Sequence, residues 1–413
     1  MAAHEARYRY RLRVNPAEAE ALKGVFDSCR FVWNQALGRW SDLWRYEGIR
    51  LHLAGADKEL TDWRSRFEWL AAQPSVPEQQ VLRDLFASVS AFFDKQNPAG
   101  RPNFKKKRAG YATARWTKNG FKVGGTGHGS TGDRLCVATA TGRIPLRVVW
   151  SRLLPSTPTS VTIYRDKGGR WWASFVVRVE VSEAPAVARG LSTGLDVGLT
   201  TFATVEDPEH DIENPRFARR AAKTLARSQR NTARKQKGSK NRAKAKQRQA
   251  RVAATVTAQR ADFHHKEARR LVATYDRIGV EDLRIKNLSK KGKGRHKVGL
   301  NRSIADAGWG QFRRSLQWQA EKAGKEVVVL PARDTTQKCS SCGEKANPRI
   351  ELSDRVFRCR TCGLVLGRDR NAARNLNPDR IGTPVGGSEP AGVAAPVGDD
   401  GSKPKVPAET MAA

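Results

Sequence analysis

The chain has 413 residues, with 76 Lys+Arg against 41 Asp+Glu, a net charge of +35 and a pI of about 10.6. Such an excess needs a polyanion to neutralise it, and a nucleic acid is the expected partner. No run of eighteen apolar residues occurs, and Met1-Ala-Ala-His-Glu5 lacks the basic-then-apolar layout of a signal peptide, so the expected location is the cytoplasm, with no membrane partner.

Residues 7–14, Arg-Tyr-Arg-Tyr-Arg-Leu-Arg-Val, alternate strictly. A strand here sets Arg7, Arg9, Arg11 and Arg13 on one face, available to phosphates, and Tyr8, Tyr10, Leu12 and Val14 on the other, available to a core. Asn15-Pro16-Ala17-Glu18 reads as a helix start, with Asn15 as cap and Glu18 three residues beyond it. Helical spacing continues to about Gln96, through Leu22, Val25, Phe26, Cys29, Val32 and Trp33 and later Val81, Leu85, Val89, Phe92 and Phe93. After a basic, glycine-rich crossing from Arg101, a strand is expected over Ile144–Trp150. A hairpin is expected over 160–165 and 171–181, turning at Asp166-Lys-Gly-Gly169. With residues 7–14 these strands can close a small β-barrel, in which Trp171 and Trp172 read most simply as core or edge aromatics.

Between Asn214 and Ala261 there are sixteen Lys+Arg and no acid. Arg220, Lys223, Arg227, Arg230 and Arg234 fall three or four apart, as do Lys240, Lys244, Arg248 and Arg251, which predicts two basic-striped helices broken at Gly238-Ser239. Val252, Val256 and Phe263 give them apolar anchors, so a docked hairpin binding phosphates is expected. Residues 382–413, rich in Gly, Pro and Ala, should be disordered.

Three acids stand in separate contexts. Asp196 ends the first strand of a hairpin (193–205), Glu281 ends a buried strand (277–281), and Asp369 begins a helix. Each alone can be a turn residue or a cap. Together in a basic chain they suit phosphodiester hydrolysis, because several carboxylates can hold two Mg²⁺ ions about 4 Å apart. Just before Asp369 come Cys339-Ser-Ser-Cys342 and, sixteen residues later, Cys359-Arg-Thr-Cys362, followed by Gly343 and Gly363 respectively. Two such knuckles can converge on one tetrahedral Zn²⁺ as a zinc ribbon; unrelated thiol pairs or disulfides are the other reading. The remaining Cys29 and Cys136 lie far apart, as in a reducing compartment.

In their order, Gly194-Leu-Asp196-Val-Gly198, Gly238-Ser-Lys-Asn-Arg242, Val280-Glu281-Asp-Leu283, Thr336-Gln-Lys-Cys339-Ser-Ser-Cys-Gly343, Cys359-Arg-Thr-Cys-Gly363 and Arg368-Asp369-Arg-Asn-Ala-Ala373 resemble the TnpB proteins of bacterial insertion sequences and their relatives, the type V CRISPR effector nucleases. The resemblance spans about residues 7–377. It implies a multidomain α/β chain: a split RuvC-like nuclease domain of RNase H fold (191–332 and 365–381) with an inserted zinc ribbon (333–364). Before these come a small wedge β-barrel (1–15 and 109–190) and its helical recognition insert (16–108). It implies catalytic Mg²⁺ at Asp196, Glu281 and Asp369, structural Zn²⁺ at Cys339, Cys342, Cys359 and Cys362, and a guide RNA transcribed from the encoding element. The implied activity is cutting of double-stranded DNA beside a short flanking motif, by a protein that holds the heteroduplex by shape and charge; the oligomeric state stays open, with a monomer favoured. One departure stands out: Gly367 occupies the position, two before the last aspartate, where the family usually has an acid. Two other readings remain, an RNA-guided repressor that does not cut and a DNA-joining transposase. The three acids weigh against the first, and the lack of a recognisable joining apparatus against the second.

Overall fold

The computed structural model describes residues 3–380, apart from 95, 97–98, 107–111, 126–127, 130–131, 181–189, 291, 293, 333 and 352. The tail expected to be disordered, 382–413, lies outside the described residues.

Alternation makes β1 (Ala3–Arg13) a strand, with Tyr10 and Leu12 buried and Arg7, Arg9 and Arg13 exposed. It feeds α1 (Pro16–Asp42) through the expected capping box: the Asn15 side chain accepts from the Glu18 N–H, and the Glu18 carboxylate accepts from the Asn15 N–H, both at 2.9 Å. A π-helical turn (Leu43–Glu47), α2 (Leu53–Arg66), α3 (Glu68–Ala71) and α4 (Ser75–Phe93) follow. The chain then returns to strands: β2 (Ala112–Thr117), β3 (Phe121–Val123), β4 (Arg134–Thr139), β5 (Gly142–Val149), β6 (Ser160–Arg165) and β7 (Trp171–Glu180). They join β1 in a seven-stranded sheet of order β2-β6-β7-β1-β5-β4-β3. Its two edges, β2 and β3, are consecutive in the chain and meet at a tight turn, Gly120 N–H donating to Thr117 O, while the Trp116 indole donates to Ala138 O on β4. The sheet is therefore nearly closed, and α1 and α4 pack on it in one continuous core.

A second sheet contains β8 (Ser192–Val197), β9 (Thr201–Thr204), β10 (Ile212–Glu213), β11 and β12. Between β10 and β11 (Arg277–Glu281) run α5 (Phe217–Arg220), α6 (Ala222–Ala233) and the 35-residue α7 (Lys240–Thr274). The helical break falls where expected, with Gly238 at φ 93° and the Ser239 hydroxyl accepting from the Arg242 N–H. Then α8 (Ile285–Leu288), α9 (Arg295–Ala307) and α10 (Trp309–Lys322) lead to β12 (Glu326–Leu330). The sheet order is β10-β9-β8-β11-β12, with β9 antiparallel to both neighbours and β11 parallel to β8 and β12. Parallel neighbours require long crossovers, which α5–α7 and α8–α10 supply; α7 and α10 bury the sheet's apolar face through Leu271, Val272, Phe312 and Leu316. After β12 come β13 (Val356–Arg358), β14 (Val365–Gly367) and α11 (Arg368–Asn375).

Candidate active site

Asp196 lies near the carboxyl end of β8 and Glu281 is the last residue of β11. The strands are parallel neighbours with Val280 opposite Leu195, so the two acids leave the same end of the sheet side by side. A glycine precedes each acid by two residues, and these glycines, Gly194 and Gly279, are register partners. Since side chains repeat every second residue, each glycine shares the sheet face of its acid.

That face receives α11. A Cβ on Gly194 would lie 1.8 Å from the Ala373 carbonyl oxygen, and one on Gly279 would lie 1.7 Å from that of Leu376. Only glycine lets the end of α11 rest on the sheet backbone. Ala372, Ala373 and Leu376 are fully buried there. The other end of the helix carries Asp369 in its first turn, close enough for its charge to act on Asp196. Arg370 fixes the helix sideways by a two-armed pair with Asp211, at 2.9 and 2.8 Å.

Burial pushes the Asp196 carboxyl up to about 8, helped by the charges of Asp369 and Glu281 and opposed by Arg368. Burial also raises Glu281, opposed by the nearby Thr335 side chain. The Arg368 guanidinium donates to Asp369 Oδ1 at 3.1 and 3.0 Å. Crowded carboxylates repel one another, and oxygen donors so gathered suit hard divalent cations. Their spacing is more open than a single-ion cage. Among the described residues, only the four cysteines bring three or more ligand atoms within 4.8 Å of one another.

At that cluster Cys339 and Cys362 sulfurs are 3.6 Å apart and those of Cys342 and Cys359 3.5 Å. A disulfide requires about 2.05 Å, whereas four sulfurs at about 2.3 Å from a tetrahedral metal lie roughly 3.8 Å apart. The gap fits a metal, and all six cysteines are unbridged. Gly343 (φ 79°) and Gly363 (φ 75°) supply the left-handed turns that close the knuckles. Phe357, fully buried, is the main apolar support of this small unit.

The basic residues divide into two settings. Arg227, Arg230, Arg234, Lys240, Lys244 and Arg248 are exposed on α6, its C-terminal cap and the start of α7, and none pairs with an acid among the described residues. On β1, Arg9 and Arg11 instead lie over the Trp172 ring, at 4.8 and 5.3 Å from its centroid, with Arg170 at 5.6 Å. Trp171 is the core aromatic, stacked on Phe26 at 5.8 Å. Arg7 lines a cleft of about 1490 Å³ between β1 and helices α7 and α10, together with Arg152, Lys266, Arg269, Arg314, Trp318 and Lys322. Sequence reading missed this cleft, because its residues belong to four segments that become neighbours only on folding. It also missed Thr335, Arg368, Asn371 and Asn375. The Gly-x-acid pattern shared by Gly194–Asp196 and Gly279–Glu281 could have revealed the glycine bed.

A strongly basic chain with a nearly closed seven-stranded sheet, a second mixed sheet, acids at adjacent strand ends and a four-cysteine cluster suits a nucleic-acid-binding protein. A chain in the cryo-EM structure of the Cas12f1-sgRNA-target DNA complex superposes with a TM-score of 0.52 over 88% of this chain and 84% of that one, at 13% identity. Family models described as "Probable transposase" and "Cas12f1-like, TNB domain" match residues 174–292 and 309–376. A third, described as a helix-turn-helix domain, matches residues 1–48, where the structure has a strand, a single 27-residue helix and a π-helical turn. A Streptomyces pristinaespiralis protein named "Putative RNA-guided DNA endonuclease" is 34% identical over 96% of this chain and 92% of its own length. InsQ of Escherichia coli strain K12, named likewise, is 31% identical over 89% and 90%. The chain belongs to the TnpB family.

Proposed function

We propose that this protein is an RNA-guided endonuclease that cuts double-stranded DNA beside a short flanking motif, as a monomer carrying a guide RNA from its own insertion sequence. Relatives along nearly its whole length bear the name of that activity. The observation that carries the chemistry is the convergence of Asp196, Glu281 and Asp369, two from adjacent strand ends and one from a helix laid on the paired glycines. The β10-β9-β8-β11-β12 order, with β9 alone reversed, supports a RuvC-like RNase H fold over 191–332 and 365–381. The nearly closed sheet supports a wedge barrel over 1–15 and 109–190, and the helices between support a recognition domain over 16–108.

Asp196, Glu281 and Asp369 would hold Mg²⁺, which when bound activates water and stabilises the leaving oxygen of a phosphodiester. The protein's own part is positional. Strand register fixes Asp196 beside Glu281, the glycine bed fixes α11, and Arg368 orients Asp369. Cys339, Cys342, Cys359 and Cys362 would hold Zn²⁺ as a structural ion of a ribbon over 333–364, since soft thiolates select it. The exposed stripe on α6–α7 and the cleft lined by Arg7 would neutralise phosphates of the guide and its heteroduplex. Gly367, where the family usually has an acid, still leaves three carboxylates, and only Arg370 Cβ approaches the space beside it, at 3.9 Å.

Asp196→Ala, Glu281→Ala and Asp369→Ala should each abolish cutting while leaving guide-dependent DNA binding nearly intact. Full cleavage by Asp369→Ala would remove the third acid from the site, and RNA-independent cutting by the purified chain would overturn the guided reading.

A further inference from the structure

One loop, residues 335–340, touches both halves of the chemistry. Cys339 enters the cysteine cluster, while the Thr335 side chain lies near enough to the Glu281 carboxylate to oppose the rise that burial gives it. The same loop is clamped by α11. Asn371, fully buried, accepts from the Ser340 N–H at 2.9 Å and donates to the Lys338 carbonyl at 2.7 Å. One turn later Asn375 donates to the carbonyls of Thr335 and Lys338, both at 2.8 Å. A buried carboxamide paired on both sides, as at Asn371, holds geometry tightly, because any displacement strands a polar group away from water. Asn371 lies two residues from Asp369 on the same short helix, and Lys338 is bonded directly to Cys339. The knuckle and the acids are thus connected by four hydrogen bonds and no flexible span.

We propose that Asn371 and Asn375 are positioning residues that tie the cysteine cluster to the carboxylate site, so that an ordered cluster keeps Asp369 and Glu281 in place at that site. The inference rests on the functional reading above for the identity of the acids as divalent-cation ligands. It adds a purpose for the ribbon within the catalytic domain: the cluster acts as an anchor for loop 335–340 and α11, and its loss loosens the acids without touching them. Partners one bond removed from metal ligands typically change affinity by about 10–100-fold when lost.

The test uses Asn375→Ala, which removes two hydrogen bonds from a half-buried position, and Asn371→Asp, which keeps the acceptor for Ser340 but loses the donor to Lys338. Mn²⁺ affinity of the full-length protein is read by electron paramagnetic resonance, with Asp196→Ala defining the signal that belongs to the acids. Zinc release to a chromogenic chelator and guide-dependent target binding are measured on the same preparations. Both variants should weaken Asp196-dependent Mn²⁺ binding about tenfold or more, and Asn371→Asp should release zinc several times faster, with target binding within about twofold of the parent. Unchanged Mn²⁺ affinity, or Mn²⁺ affinity that falls only in step with target binding and melting temperature, overturns the proposal. Parent protein that binds Mn²⁺ through Asp196 yet never cuts DNA would defeat the nuclease reading and leave the coupling standing; no Asp196-dependent Mn²⁺ signal would overturn both.

Discussion

Adding one methyl group at Gly279 should silence the chemistry from behind the site. The new Cβ would sit 1.7 Å from the Leu376 carbonyl oxygen and 2.9 Å from its carbon, both backbone atoms that no rotamer change can move aside. An ordinary contact is about 3.5 Å, so the end of α11 must lift by about 1.8 Å. Overpacking of this kind costs about 1–3 kcal/mol of stability. Its larger effect is on Asp369, since misplacing a catalytic group by about 1 Å can cost roughly a hundredfold in rate. Gly279→Ala, and Gly194→Ala at 1.8 Å from the Ala373 oxygen, should therefore lower single-turnover cleavage by guide-loaded protein at least about a hundredfold, with target binding retained. Gly299→Ala is the control: it lies in exposed α9 with nothing within 4 Å of its Cβ, and should stabilise by about 0.5–1 kcal/mol with cleavage unchanged. Cleavage by Gly279→Ala within about threefold of the parent would refute the idea that the paired glycines set the position of Asp369.

The raised Asp196 carboxyl, at about 8, binds a proton in the folded state from about pH 4 to pH 8 that the unfolded chain has released. Stability of the metal-free protein should fall as pH rises through that window, and Asp196→Asn should recover about 1–3 kcal/mol after allowance for partial exposure, with the gain largest near pH 8; equal melting-temperature differences at pH 5 and pH 8 would contradict this. Replacing Arg227, Arg230 and Arg234 together with glutamine should lower the salt slope of guide or heteroduplex binding by up to about three units, whereas an unchanged slope would show that this stripe faces only water. Cys342→Ser or Cys359→Ser should release zinc and expose the 335–340 loop to hydrogen exchange, while mild chelation of Mg²⁺ should stop cutting and leave that loop protected; finding no zinc by metal analysis of the parent protein would defeat the assignment.

Much of this fold is legible because the decisive signals are local. The capping box at Asn15 and Glu18, the alternation of residues 7–14, the turn at Asp166–Gly169 and the break at Gly238-Ser239 each lie within a few residues, and each forms as its chemistry dictates. The three acids could be placed at two strand ends and a helix start for the same reason. Strands β2, β3 and β4 were hidden in the glycine-rich crossing because they are only three to six residues long and are held by closure of the sheet. The convergence of the acids depends on parallel pairing of β8 and β11 across some eighty residues, and the Asn371 clamp joins residues 31 and 33 positions apart. No periodicity encodes such contacts. Nor does composition say which arginines meet phosphate: Arg9 and Arg11 share a face with Arg7, yet they lie against Trp172 while Arg7 lines the cleft.

The most direct test of the central claim is plasmid cleavage by protein purified with its own RNA, in the presence of Mg²⁺, on plasmids that match or mismatch the guide portion of that RNA. The account predicts linearisation of the matched plasmid alone, abolished by Asp196→Ala and by removal of the RNA. Cutting that proceeds equally on both plasmids, or that survives loss of the RNA or of Asp196, would contradict it.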